Sequence, residues 1–177
     1  MVTRYSPFLV AIHWMVAFLV ILGLVIGNVV LEHMPNDDPQ KILALKGHMA
    51  AGIFVLVLML IRIFVKLFSE KPPHANTGKL FFDKLRTVVH VLFYICVIAL
   101  TVSGIGLAVT AGLFDIVFGN SGQPLPASFD AFPPLKGHQL FGSILMVLVV
   151  LHVVAVIYHQ FVLKDKLISR MWFGRRS

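Results

Sequence analysis

Eight histidines occur in 177 residues, and five of them, His13, His48, His90, His138 and His152, fall within or at the ends of long apolar stretches. An ionisable side chain inside a membrane is costly, so its presence there points first to chemistry. His138 and His152 are fourteen residues apart. On a helix that spacing is close to four turns, about 21 Å of rise and a return to within about 40° of the starting direction. A slight supercoil removes most of the offset. One helix face therefore offers two imidazoles at two depths. The segment Leu45-Lys46-Gly47-His48, followed by Gly52, recurs as Leu135-Lys136-Gly137-His138, followed by Gly142. Two histidines in the same setting at one depth can face each other across a haem iron. Each following glycine leaves out the side chain that would meet the porphyrin.

Fourteen residues beyond the other span histidines, His13 leads to Gly27, His90 to Gly104 and His48 to Arg62. The first and third helices thus carry histidine at the inner depth and glycine at the outer depth, beside the outer haem. Arg62 falls at the inner depth, where a guanidinium suits a haem propionate. Its plain alternative is an interface side chain that snorkels to the headgroups. The inner depth offers three histidines, His13, His90 and His152, for two axial places, and spacing does not choose among them. Whichever of His13 and His90 is left over is a hydrogen-bond partner of a propionate or a quinone. His159 lies near the inner end of the fourth helix, while His33 and His74 read as loop surface. Zinc is disfavoured, because no carboxylate or thiolate lies at these depths and the pairs are too far apart for one tetrahedral ion.

The elements that must position these residues are membrane helices. The chain is 58% hydrophobic, far from the make-up of a soluble domain. Its four apolar runs, about 8–31, 47–68, 88–114 and 138–163, are each long enough to cross a hydrocarbon slab of ~30 Å. The expected fold is an all-α membrane protein: one transmembrane domain over 1–177, a four-transmembrane-helix bundle with two stacked b haems. The first run is too long for a signal peptide, has only Arg4 as a charged leader and shows no clear cleavage site, so it reads as a retained helix. Cys96, the single cysteine, lies mid-span as a packing residue.

A net charge of +7 does not indicate nucleic acid, because the basic residues flank the spans. Arg4, the stretch Arg62 to Arg86 and the tail Lys164 to Arg176 hold twelve of the fifteen Lys and Arg. The positive-inside rule places both termini and the middle loop in the cytoplasm. Trp14, Tyr158 and Trp172 lie on that side as interfacial anchors. The turn-rich stretch Glu32 to Lys46 reads as a simple outer connection. The longer stretch from about Asp115 to Lys136, with four prolines, can build a small cap over the outer face. No nucleotide fingerprint, P-loop or catalytic triad is visible.

With Arg4-Tyr5-Ser6 before Ile12-His13-Trp14, the glycine-followed histidine of helix two, Arg62 and the fourteen-step pair of helix four, the chain resembles the bacterial cytochrome b561 family over nearly its whole length. The resemblance implies that His13 and His152 ligate the cytoplasmic-side haem b and that His48 and His138 ligate the periplasmic-side haem b. His90 and His159 then become neighbours of a haem or of a quinone site. Likeness to the short members of the family implies superoxide:ubiquinone oxidoreductase activity in the bacterial inner membrane, with superoxide as donor and ubiquinone as acceptor. Lys46 and Lys136 suit that role as cations that draw in a small anion, although any helix pair carries snorkelling lysines at its outer edge.

Rival readings differ in class. An electron-transfer cytochrome subunit would link a dehydrogenase or hydrogenase partner to the quinone pool, and co-purification of that partner would mark it. A haem protein without turnover, or a small transporter using its histidines as proton relays, is less consistent with the repeated histidine–glycine motif and the lack of inverted repeats.

Overall fold

A computed structural model describes residues 4–69, 80–119, 121–164 and 167–174. His74, Pro72-Pro73 and Asn76-Thr77-Gly78 of the middle loop, and Arg176 of the tail, lie outside the described residues. Four helices are long and apolar enough to cross a membrane, and no strand occurs among the described residues. Helix α1, Pro7–Val25, starts at Ser6, whose hydroxyl accepts from the Leu9 amide at 3.3 Å, with a proline at its first position. It runs on as a wider π-helical stretch, Ile26–Leu31. Helix α2 covers Pro39–Phe68 and α3 covers Leu80–Thr110. A short α4, Leu113–Val117, follows the left-handed Gly112, and α5 spans Pro134–Tyr158. A second π-helical stretch, His159–Leu163, and a 3₁₀ turn, Leu167–Met171, complete the described chain.

Three helices have boundaries that differ from the apolar runs. Helix α2 begins at Pro39, not Gly47, because Asp38 caps it by accepting from the Gln40 amide at 2.8 Å and Pro39 is preset for a first turn. The outer connection between α1 and α2 is correspondingly short, and Lys41 and Lys46 are helical. Helix α3 begins at Leu80, in basic sequence ahead of the apolar run, and stops at Thr110 because Gly112 turns left-handed (φ 65°). Helix α5 begins at Pro134, not His138. Hydropathy ends where charge begins, but a hydrogen-bonded helix does not.

The closely packed helix pairs are α3–α5, α1–α2 and α2–α3. Ile12, Val16, Val55, Leu58, Cys96, Leu145 and Leu148 form a dry middle layer drawn from all four spanning helices. Cys96 is a packing residue there, as expected. A second layer joins Leu45 and Ala108 to Leu113, Val117 and Leu125 at the outer end, with Phe129 and Phe132 packed on it. This is the cap that the proline-rich stretch was expected to build. Asn36 fastens it, donating its amide to the carbonyls of Pro126 at 2.7 Å and Ala127 at 3.2 Å. At the opposite end the Trp14 indole donates to the Met171 carbonyl at 2.8 Å and stands edge-on to Trp172. Phe18, Leu60, Phe64, Val147 and Val150 point outward, an apolar surface that suits lipid.

Candidate functional site

His48, on α2, and His138, on α5, lie between the two apolar layers, and their rings meet edge-on with centroids 6.1 Å apart and planes at 80°. An iron bound to one nitrogen of each ring at about 2 Å sets such centroids roughly 6 Å apart. Helices α2 and α5 are not a closely packed pair. The space beside the two rings is a cavity of about 910 Å³, lined by His48, His138, Gly23, Gly27, Gly52, Gly104, Gly142 and Lys41. That is the size of a large cofactor site.

The neighbours of the two rings fit ligation. The His138 Nδ1 lies 2.9 Å from the Leu100 carbonyl. Donation from Nδ1 to that carbonyl leaves Nε2 as the lone-pair nitrogen for a metal. The buried Nδ1 of His48 has no hydrogen-bond partner among the described residues, a cost that an imidazole bears more readily when it serves as a ligand. A methyl on Gly104 would stand 2.9 Å from His138 Cε1, and one on Gly27 would stand 3.7 Å from His48 Cε1. These glycines were expected to clear space for the porphyrin, whereas their nearest neighbours are the imidazoles. A methyl on Gly52 would meet nothing within 4 Å, so the cavity wall is open there. Two opposed imidazoles, an orphaned ring nitrogen and a glycine-lined cavity fit a porphyrin.

Beyond the middle layer the other histidines gather. His90 and His152 stand with ring centroids 6.1 Å apart, Phe93 lies 5.3 Å from His152, and the His90 Nδ1 is 2.7 Å from the Arg86 carbonyl. His13 lies edge-on to Trp14 at 5.5 Å, within electrostatic reach of Arg62, His152 and His90. His13 and His152 are half-buried, whereas His90 is exposed. Arg62 donates to the Leu9 carbonyl at 2.9 Å, tying α2 to α1 beside His13. His159 opens the second π-helical stretch, half-buried, with its ring 6.2 Å from that of Tyr158. His33 is exposed, as a surface histidine should be.

Lys46 and Lys136 are exposed and do not line the cavity, and the Lys46 ammonium lies 5.7 Å from the centre of the Phe118 ring. Lys41 lines it instead. Sequence reasoning passed Lys41 over as a connecting-loop residue. The signal was its place seven residues before His48, two turns along the same face.

The family model described as prokaryotic cytochrome b561 matches residues 4–174. The chain is 31% identical to a Yersinia pestis protein named probable superoxide oxidase CybB, with 98% of each chain covered. It is 25% identical to cytochrome b561 homolog 1 of Escherichia coli K12, over 98% of this chain and 99% of that one. It is 27% identical to cytochrome b562 of Cereibacter sphaeroides, over 94% of each. A match of this extent, on a bundle with opposed histidines in its interior, settles the kinship: the chain belongs to the prokaryotic cytochrome b561 family, the multi-pass, haem b-binding electron-transport proteins of the bacterial inner membrane.

Proposed function

We propose that the protein is a superoxide oxidase, a dihaem cytochrome b that accepts electrons from superoxide at the periplasmic face and delivers them to ubiquinone. The observation that carries the electron-transfer part is the presence of two histidine groups at separate depths with a dry apolar layer between them. The choice of donor rests on the full-length likeness to the protein named probable superoxide oxidase.

His48 and His138 would hold one haem b at the outer depth. His13 and His152 would hold a second at the inner depth, where α1 and α5 are not a closely packed pair and so leave room for a porphyrin. Arg62 would offer its guanidinium to a carboxylate of the inner haem, and His90 and His159 would border the quinone site. One observation favours a second assignment: the His90 and His152 rings already have the spacing of the outer pair. Placing a porphyrin there, however, would split α3 from α5, a closely packed pair. The basic flanks support an orientation with Arg4, Arg62 and the tail on the cytoplasmic side and the His48–His138 pair on the periplasmic side.

Haem b, when bound, supplies one-electron redox centres, which suits a one-electron donor and a two-electron acceptor. Over one turnover, two superoxide anions lose one electron each and leave as dioxygen, and ubiquinone takes up those two electrons with two protons. Lys46 and Lys136, exposed on the outer rim, raise the local concentration of a small anion. The chain itself holds the rings in place through Leu100, Gly104 and Gly27, and its middle layer excludes water between the two depths.

The test uses haem-loaded protein in detergent under a steady superoxide flux, with superoxide dismutase as the control. Reduction of the b-type absorbance that added ubiquinone reverses supports the reading. Haem left oxidised under the flux sinks it and favours a subunit that takes electrons from a dehydrogenase or hydrogenase partner.

A further inference from the structure

Lys41 is the one charged side chain in the buried set of the described residues, with 4% of its surface exposed. It lies on α2, seven residues before His48. Two helical turns bring it back to within about 20° of the same direction and place it about 10 Å nearer the outer end. It therefore stands over the His48 face, beneath the cap. Its ammonium donates to the Met34 carbonyl and lies 5.9 Å from the centre of the Phe129 ring. Neither neighbour carries charge. Glu32 and Asp130 line the same cavity, yet Lys41 forms no ion pair with a carboxylate among the described residues.

An ammonium has three N–H donors, and Met34 engages one. Burying such a group without a counter-charge is expensive, and proteins retain one where an anion meets it. The cavity that Lys41 lines is the one flanked by His48 and His138. Haem b carries two carboxylates on one edge, so whatever holds its iron in this cavity leaves that edge to be neutralised at one end.

We infer that Lys41 is the counter-ion for a carboxylate of the haem held by His48 and His138, and so sets that haem's potential. The inference rests on the reading of this pair as axial ligands. It makes Lys41 a positioning residue of the outer site, distinct in place and duty from the rim cations Lys46 and Lys136. Reduction adds negative charge to the haem, so a cation beside it favours the reduced form and raises the potential.

The test compares haem-loaded wild type, Lys41→Met and Lys41→Arg by redox titration and by the propionate-bending line in resonance Raman spectra, without superoxide. In Lys41→Met the oxidised-to-reduced ratio of one haem at fixed potential should rise about tenfold, equivalent to ~59 mV for a one-electron centre. Its propionate line should shift. Lys41→Arg should keep both near wild type, and the second haem should not respond. Lys41→Gln, which is neutral but still able to donate a hydrogen bond, takes the place of the methionine variant if that one does not fold. An unmoved potential and Raman line overturn the inference. So does an effect confined to the rate of reduction by superoxide, which would assign Lys41 to a free anion. Haem content in His48→Ala separates the two claims. Full haem content there fails the ligand-pair reading, whereas the expected loss of haem combined with a silent Lys41→Met fails only the role of Lys41.

Discussion

Replacing Gly104 with alanine sets two effects against each other, and the structure decides which wins. In a helix interior the change alone stabilises by about 0.5–1 kcal/mol. Here the new methyl would stand 2.9 Å from Cε1 and 3.0 Å from Nδ1 of His138. Ordinary carbon contacts lie at about 3.5–4.0 Å, so the ring must retreat by roughly 0.6 Å or more, or α3 and α5 must part. Retreat stretches the hydrogen bond to the Leu100 carbonyl, now 2.9 Å, whose net worth is about 0.5–1.5 kcal/mol. Overpacking adds about 1–3 kcal/mol. After the helix gain is subtracted, roughly 1–4 kcal/mol is lost from the state that presents His138 to an iron. At 1.36 kcal/mol per factor of ten, the hold on the haem proposed for His48 and His138 should weaken by about five-fold to several hundred-fold. The assay is the haem-to-protein ratio of purified Gly104→Ala, followed by redox titration of what remains. On the proposed dihaem reading, occupancy should fall toward half, with the second haem unmoved. Gly47→Ala, whose methyl would meet nothing within 4 Å, is the control. Full haem content with an unshifted potential in Gly104→Ala would refute the claim that this glycine seats the ligand.

Gly52→Leu projects a side chain into the cavity without meeting protein atoms near its Cβ. The apoprotein should keep its fold by circular dichroism while haem content falls by about half; full haem content would place the porphyrin elsewhere. His13→Ala should lose one haem and His90→Ala should keep both, as counted by pyridine haemochrome, and the reverse outcome would assign the inner site to His90 and His152. Arg62→Met removes a charged donor from the Leu9 carbonyl, a loss of about 1.5–3 kcal/mol, so thermal unfolding should occur at a lower temperature than in wild type. An unchanged midpoint would mean that Arg62 reaches the headgroups instead.

Which features were legible from sequence follows from how local their causes are. Apolar length marks a span by itself, so all four helices are readable, and the fourteen-residue step between His138 and His152 places two depths on α5 from spacing alone. The same step linked Gly104 and Gly27 to the outer depth, though their contacts with the imidazoles were not visible. That distinction depends on which way a ring turns after two helices pack. The Leu100 carbonyl had no signature, because every residue has one. Lys41 was hidden because hydropathy treats a charge as the end of a span, while the cap that buries it is built from residues some ninety positions away, at Pro126 to Phe129. His13 and His90 share a depth, and what separates them, their differing exposure and the close packing of α3 on α5, exists only once the helices are assembled.

The tie between α1 and the 3₁₀ turn also bears on how the protein is made. Trp14 and Met171 are 157 positions apart, and the Tyr5 amide donates to the Arg170 carbonyl at 3.3 Å in the same place. During synthesis α1 enters the bilayer early, but its partner at this end leaves the ribosome only after every spanning helix has emerged. Until then the indole of Trp14 has no Met171 carbonyl to meet and depends on the lipid interface. Closure of the inner end is thus a post-insertion event, and an affinity tag fused behind the tail would act at the first helix as much as at the last.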